Sequence, residues 1–96
     1  MAKAYVICDI EVTDPQAYEG YKDLAGPAVA HYGGRYLVRG GASEVLEGER
    51  TPHRTVVLEF DDLETARRWY HSPEYAAARE LRARAATSSL VLVEGA

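Results

Sequence analysis

From Lys3 to Val12 the even positions Ala4, Val6, Cys8, Ile10 and Val12 are all apolar, while the odd positions Lys3, Tyr5, Ile7, Asp9 and Glu11 are mixed. A period of two is the pattern of a β-strand that turns one face to a core. The even face is the core face, and this strand needs a sheet to sit in and a layer to cover it.

The segments that follow supply both. Thr13 or Asp14 can cap a helix that opens with Pro15, a residue whose missing N–H costs nothing at the first helical position. Tyr18, Tyr21, Leu24, Ala25, Ala28 and Tyr32 recur at helical spacing, with a kink expected at Gly26-Pro27 and a stop at Gly33 or Gly34. Arg35 to Glu47 reads as a long second strand broken at Gly40-Gly41, and Glu47 to Pro52 as a turn-rich connection. His53 to Phe60 is a third strand, pairing with the second as a hairpin. Asp61 or Asp62 caps a helix over LETARRWYH, Ser72-Pro73-Glu74 starts another that runs to about Ala85, and Ser89 to Glu94 is the last strand. The order is β-α-β-β-α-β, an α+β ferredoxin-like plan with a four-stranded antiparallel sheet. The 96 residues are read as one domain, 1–96, large enough to be stable without a metal or disulfide.

Helices on one side leave the other side of such a sheet bare. Leu90, Val91, Leu92 and Val93 are apolar on both faces, and Ile7 and Val57 fall opposite the core face. With no further chain to cover them, a second copy is the expected cover: a homodimer of sheets packed face to face as an α/β barrel.

Several function classes are excluded. A net charge of −4 lacks the basic patch that nucleic acid requires. The apolar stretch at the N-terminus is too short for a membrane span or a signal core, and the single cysteine allows no internal disulfide, so a cytoplasmic location is expected. His31, His53 and His71 show no metal-ligand spacing, and no nucleophile motif, phosphate loop or dinucleotide fingerprint occurs. Neither a metal nor a cofactor is expected.

The candidate chemistry falls in two groups. Asp9, Arg39 and Glu59 are expected on the bare sheet face beside Tyr5, as a cation between two carboxylates, with Gly40-Gly41 letting the strand bulge nearby. They are candidate catalytic residues, and equally an ion-pair network that sets the dimer register. Tyr18, Tyr21, Trp69, Ser72 and Tyr75, with Tyr5, are candidate ligand-binding residues around the break in "WYHSPEY"; the plain alternative is helix-on-sheet packing. Cys8 reads as an inert packed thiol, and the arginines at 67, 68, 79, 82 and 84 as a solvated helix face.

"TDPQAYEGY", "YGGRYLVRGG", "VLEGE", "RTVVLEF" and "WYHSPEY" followed by Arg79 resemble, in this order and over almost the whole chain, the bacterial domain of unknown function 1330. The resemblance implies a place in the dimeric α/β-barrel superfamily, a ferredoxin-like fold and a homodimer, and no particular activity. The functional expectation is a small-molecule pocket on the sheet face, serving an isomerase or oxygenase-like enzyme on a small carboxylate, lactone or enol. The alternative is a non-catalytic ligand-binding or accessory dimer whose polar cluster is structural.

Overall fold

The computed structural model describes residues 2–51 and 53–96. Pro52, the end of the expected turn-rich connection, lies outside them. β1 (Ala4–Val12) leads into α1 (Pro15–His31), β2 (Arg35–Arg39), β3 (Arg54–Phe60), α2 (Leu63–Tyr70), α3 (Pro73–Ala85) and β4 (Ala86–Glu94). The four strands form one sheet in the order β2-β3-β1-β4, and all three pairings are antiparallel.

Local chemistry sets the boundaries. Asp14, Asp62 and Ser72 cap the three helices, each side chain accepting a backbone N–H from the first turn. α1 runs through Gly26-Pro27 as a single element. It ends at Tyr32, and Gly33 takes φ 72°, a left-handed conformation that glycine adopts at no steric cost. Gly34 is bare for a different reason: a Cβ there would lie 2.6 Å from the Phe60 ring and 2.7 Å from Val29.

The alternation of β1 holds. Ala4, Val6, Cys8 and Ile10 are buried with Val56, Leu58 and Phe60 of β3, and the helices close over them with Trp69, Tyr75, Ala78 and Ala85. Trp69, Tyr75, Phe60 and Val29 are the largest fully buried side chains; burying such a group contributes about 1.5–3 kcal/mol.

Two boundaries differ from the sequence expectation by more than one residue. β2 is five residues long and ends at Arg39 instead of reaching Glu47, and β4 begins at Ala86 instead of Ser89. The shift in β2 matters most. Its register jumps between Tyr36 and Val38, so the irregularity lies at Leu37, earlier than Gly40-Gly41. One extra residue inverts the alternation beyond it.

The bare face carries a pattern in rows. Val38, Val57, Ile7 and Val91 lie side by side across all four strands. On one side of this apolar row lie Arg35, Glu59, Tyr5 and Val93. On the other lie Thr55, Asp9 and Ser89. Ile7 is 44% exposed and Val91 56% exposed.

Candidate functional site

The break between α2 and α3 is built around Ser72, which is buried. Its hydroxyl donates to the Trp69 carbonyl (2.7 Å) and accepts the Tyr75 N–H (3.1 Å). One side chain thus ends α2 and starts α3, and it fixes the residues that carry the two largest rings of the core. The Trp69 and Tyr75 rings stack at 4.3 Å between centroids, tilted by 37°.

Tyr75 then meets two polar groups below the surface. Its hydroxyl lies 2.8 Å from the Tyr21 hydroxyl and accepts from Arg82 Nη1 at 2.5 Å. Burial pushes the Tyr75 hydroxyl far above the ordinary tyrosine value, and burial likewise raises Tyr21. Both are neutral hydroxyls at physiological pH. Burial works against the Arg82 charge, but the Tyr75 and Tyr21 oxygens outweigh it and leave the guanidinium above its usual pKa. A permanent cation therefore sits 7% exposed among aromatic rings, without a carboxylate partner among the described residues.

Two hollows adjoin this cluster. A groove of about 410 Å³ opens on the helix-covered side at β1 and β4, with Val6, Leu90 and Leu92 as its apolar wall and Arg67, His71 and Ser88 among its polar lining. Trp69 and Arg82 also line it, and both Trp69 Nε1 and Arg82 Nε are buried without a hydrogen-bond acceptor. Buried N–H groups in native proteins nearly always have a partner, so two unpartnered donors on residues that line one groove are unusual. A volume of this size suits a small organic molecule. The second hollow, about 20 Å³, is enclosed on the β2–β3 side by Tyr18, Tyr21, Tyr36, Tyr75, Arg39 and Arg54 among others.

The structure divides the expected site residues. Tyr18, Tyr21, Trp69 and Tyr75 come together as the sequence suggested, and Ser72 holds two of them in place. Tyr5 does not join them; it faces the bare side, directly across from Glu59, whose nearness raises its pKa. Asp9 and Glu59 lie on that bare side as expected, but Arg39 does not. The irregularity at Leu37 pairs Arg39 with Val56, a core-facing residue, and sets its guanidinium 4.1 Å from the centroid of the Tyr36 ring on the helix side. The expected Asp9–Arg39–Glu59 cluster is therefore replaced by two separate ones. Arg35 binds Glu59 through Nη2 at 2.5 Å and Nε at 2.9 Å, and these bonds, followed by the nearness of Tyr5, hold the Glu59 carboxyl below its ordinary pKa. Asp9 meets His53 at 3.2 Å and Arg50 at 3.7 Å, beside a hollow of about 100 Å³.

Arg82 was hidden among the arginines assigned to a solvated face. The buried side of α3 is Tyr75, Ala78, Arg82 and Ala85, so Arg82 stands on the apolar stripe at spacings of three and four. That position is the signal in the sequence that marks it. Cys8 is a buried free thiol, and burial pushes its pKa up to about 11, which makes it inert. Among the described residues, no three His, Cys, Asp or Glu side chains converge as metal ligands, and no helix is long and apolar enough to cross a membrane.

Solved structures share this architecture across nearly the whole chain. RPA0582, a protein of unknown function from Rhodopseudomonas palustris, superimposes with a TM-score of 0.79 at 18% identity, covering 99% of this chain and 83% of that one. A dimeric ferredoxin-like protein of unknown function from Thermobifida fusca gives 0.66 at 17% identity, covering 97% and 91%. SnoaB, a cofactor-independent oxygenase from Streptomyces nogalater, gives 0.63 at 17% identity, covering 97% and 92%. At these identities the likeness is one of fold. No curated protein matches the sequence. The sequence profile of the domain of unknown function DUF1330 matches residues 3–96, and the chain belongs to that family.

Proposed function

We propose that the protein is a homodimeric small-molecule enzyme whose substrate lies in the groove over Trp69 and Arg82 and reacts through an enolate. The observation that carries this reading is a groove large enough for a small organic molecule, lined by Trp69 and Arg82, whose Nε1 and Nε are buried without an acceptor. The dimer is supported by the apolar row Val38–Val57–Ile7–Val91 on the bare sheet face and by the dimeric relative from Thermobifida fusca.

The chemistry follows from the residues. A carbonyl compound enters with its apolar body against Val6, Leu90 and Leu92 and its oxygen toward Arg82 and Trp69. His71, on the groove lining, takes a proton from the carbon next to the carbonyl. The electron pair moves to oxygen, where the Arg82 cation and the indole N–H stabilise the charge as it develops. Arg82 in turn is held by the neutral Tyr75 hydroxyl. Returning the proton to a different atom gives an isomerase. Passing one electron from the enolate to dioxygen and recombining the substrate radical with the superoxide forms a carbon–oxygen bond, the resulting peroxide taking the proton held by His71; that is an oxygenase, the class to which SnoaB belongs.

Trp69 is the sole tryptophan, so intrinsic fluorescence reports on the groove directly. Titration with a 1,3-diketone, whose enolate is stable in water, should quench Trp69 and raise the enolate absorbance. Both signals should vanish in Arg82→Met and survive in Arg39→Met. Deuterium uptake from solvent at the carbon beside the carbonyl of a weakly acidic ketone, followed by NMR, tests for turnover. Quenching without exchange would leave a binding protein, and a folded wild-type protein showing neither would end the proposal.

A further inference from the structure

The second hollow lies at the other end of the helix-covered face from the groove, between β1, β3 and β2 instead of β1 and β4. Its lining is unusual for a protein of net charge −4. Lys22, Arg39 and Arg54 all contribute to it, together with Tyr18, Tyr21 and Tyr36. Arg35 and Arg50 have carboxylate partners, and Lys22 pairs with Glu19. Neither Arg39 nor Arg54 has one among the described residues. Arg39 lies over Tyr36, and the Arg54 guanidinium is 5.7 Å from the centroid of the Tyr18 ring. Arg54 Nε is buried without an acceptor.

Arg54 also lies against the backbone at Gly40. Gly40 has φ 74°, and its N–H donates to the Thr55 carbonyl at 2.9 Å. A Cβ on Gly40 would lie 2.6 Å from Arg54 Cζ, so the guanidinium occupies the space a side chain would need. Gly41, the next residue, has nothing within 4 Å of its Cβ direction. The first glycine of the pair is therefore required by its dihedral, and a side chain there would have to displace the Arg54 guanidinium; the second meets neither constraint.

We infer that Arg39 and Arg54 form a second binding site, for the carboxylate of an aromatic organic acid. Two guanidiniums beside tyrosines, Arg39 over Tyr36 and Arg54 near Tyr18, suit a flat, two-oxygen anion, since each can present a planar pair of N–H donors. The free volume of about 20 Å³ admits little more than one water, so one carboxylate oxygen takes that place while the carboxyl carbon and the aromatic body stay at the mouth, against Tyr36. This site is independent of the groove reading: it shares the Trp69 wall but neither Arg82 nor His71.

The test is ¹⁵N-edited NMR of the arginine Nε–Hε and tryptophan Nε1–Hε1 signals during titration with benzoate, with inorganic phosphate in parallel. Arg54→Met assigns the Arg54 signal. Benzoate should shift that signal saturably in the wild-type protein, and Arg39→Met should weaken binding about tenfold, the scale of one lost charge-assisted contact. Arg39→Lys should weaken it as well, because the charge remains but the planar fork does not. Gly40→Ala should abolish the shift and Gly41→Ala should leave it unchanged. If Gly40→Ala does not fold, the two Arg39 variants decide. A benzoate shift at Trp69 alone, a response to phosphate but not benzoate, or an unmoved Arg54 signal would each overturn the inference. The groove proposal fails by a different reading, a Trp69 signal and fluorescence unmoved by the diketone.

Discussion

Arg82 and Tyr75 lie one above the other on α3, seven positions apart, and the guanidinium donates to the phenol oxygen at 2.5 Å with both groups buried. Seven residues are almost two turns, so an element that packs one side chain against the sheet brings the other beneath the same layer. The phenol has a second partner in Tyr21, whereas the guanidinium keeps an unpartnered Nε. The two members of the pair should consequently respond differently to substitution.

Arg82→Met preserves most of the packed stem and removes the charge, while Tyr75 retains Tyr21. Its unfolding free energy in urea should equal or exceed that of the parent protein. Tyr75→Phe instead strands a buried cation and the Tyr21 hydroxyl, and should cost about 1–3 kcal/mol. Equal losses in the two variants would contradict the arrangement described.

Ser72→Ala removes the cap of α3 and the bond to the Trp69 carbonyl together. A loss of about 1–2 kcal/mol is expected from the cap alone. Trp69 emission should shift as its ring loses its support. Ser72→Asp, which can still accept the Tyr75 N–H, should recover less than an exposed cap would, because its charge is buried.

Gly34→Ala should destabilise by about 1–3 kcal/mol, because the methyl group meets Phe60 and Val29 in a packed core. Gly41→Ala meets nothing and should leave the urea midpoint almost unchanged. The contrast isolates close approach from backbone freedom, since neither glycine has a positive φ.

Glu59 gives the acid response a defined sign. Its carboxyl is held below its ordinary pKa by the Arg35 hydrogen bonds first and by Tyr5 next. A depressed folded-state pKa contributes stability that is present above the unfolded pKa and lost as pH falls through the folded one. Thermal melting should therefore show Glu59→Gln less stable than the parent at neutral pH. The gap should close in acid, below the ordinary carboxylate range. A gap independent of pH would show that the pair contributes through packing alone.

The dimer proposed from the apolar row can be broken without touching the core. Ile7 and Val91 are direct cross-strand partners on the bare face, and Ile7→Lys with Val91→Lys sets two like charges side by side there. Light scattering coupled to size exclusion, over a dilution series, should give a dimer for the parent and a monomer for the double variant, with unchanged far-UV circular dichroism. A monomeric parent would remove the dimer from the proposal, and Leu46, 89% exposed in the β2–β3 connection, would then face solvent.

What the sequence determined by itself was whatever local periodicity and capping control. The even face of β1, the cap Ser72, the other two caps to within one residue (Thr13 or Asp14, Asp61 or Asp62), the element order and the tyrosines gathered near the α2–α3 break were legible, because each depends on neighbours within a turn or a strand. Only the tertiary structure decided the rest. The irregularity at Leu37 has no glycine or proline to mark it, and it is set by how β2 must pair with β3 while Tyr36 packs on the core. That single offset carried Arg39 to the helix side and left Arg35 to meet Glu59. Arg82 shows the same limit from the other side. Its residue type argues for solvent, and only the packing of α1 and α3 around Tyr21 and Tyr75 gives a buried guanidinium something to bind. Burial of a charge is a property of the partners that three-dimensional packing assembles, and those partners are far apart in the chain.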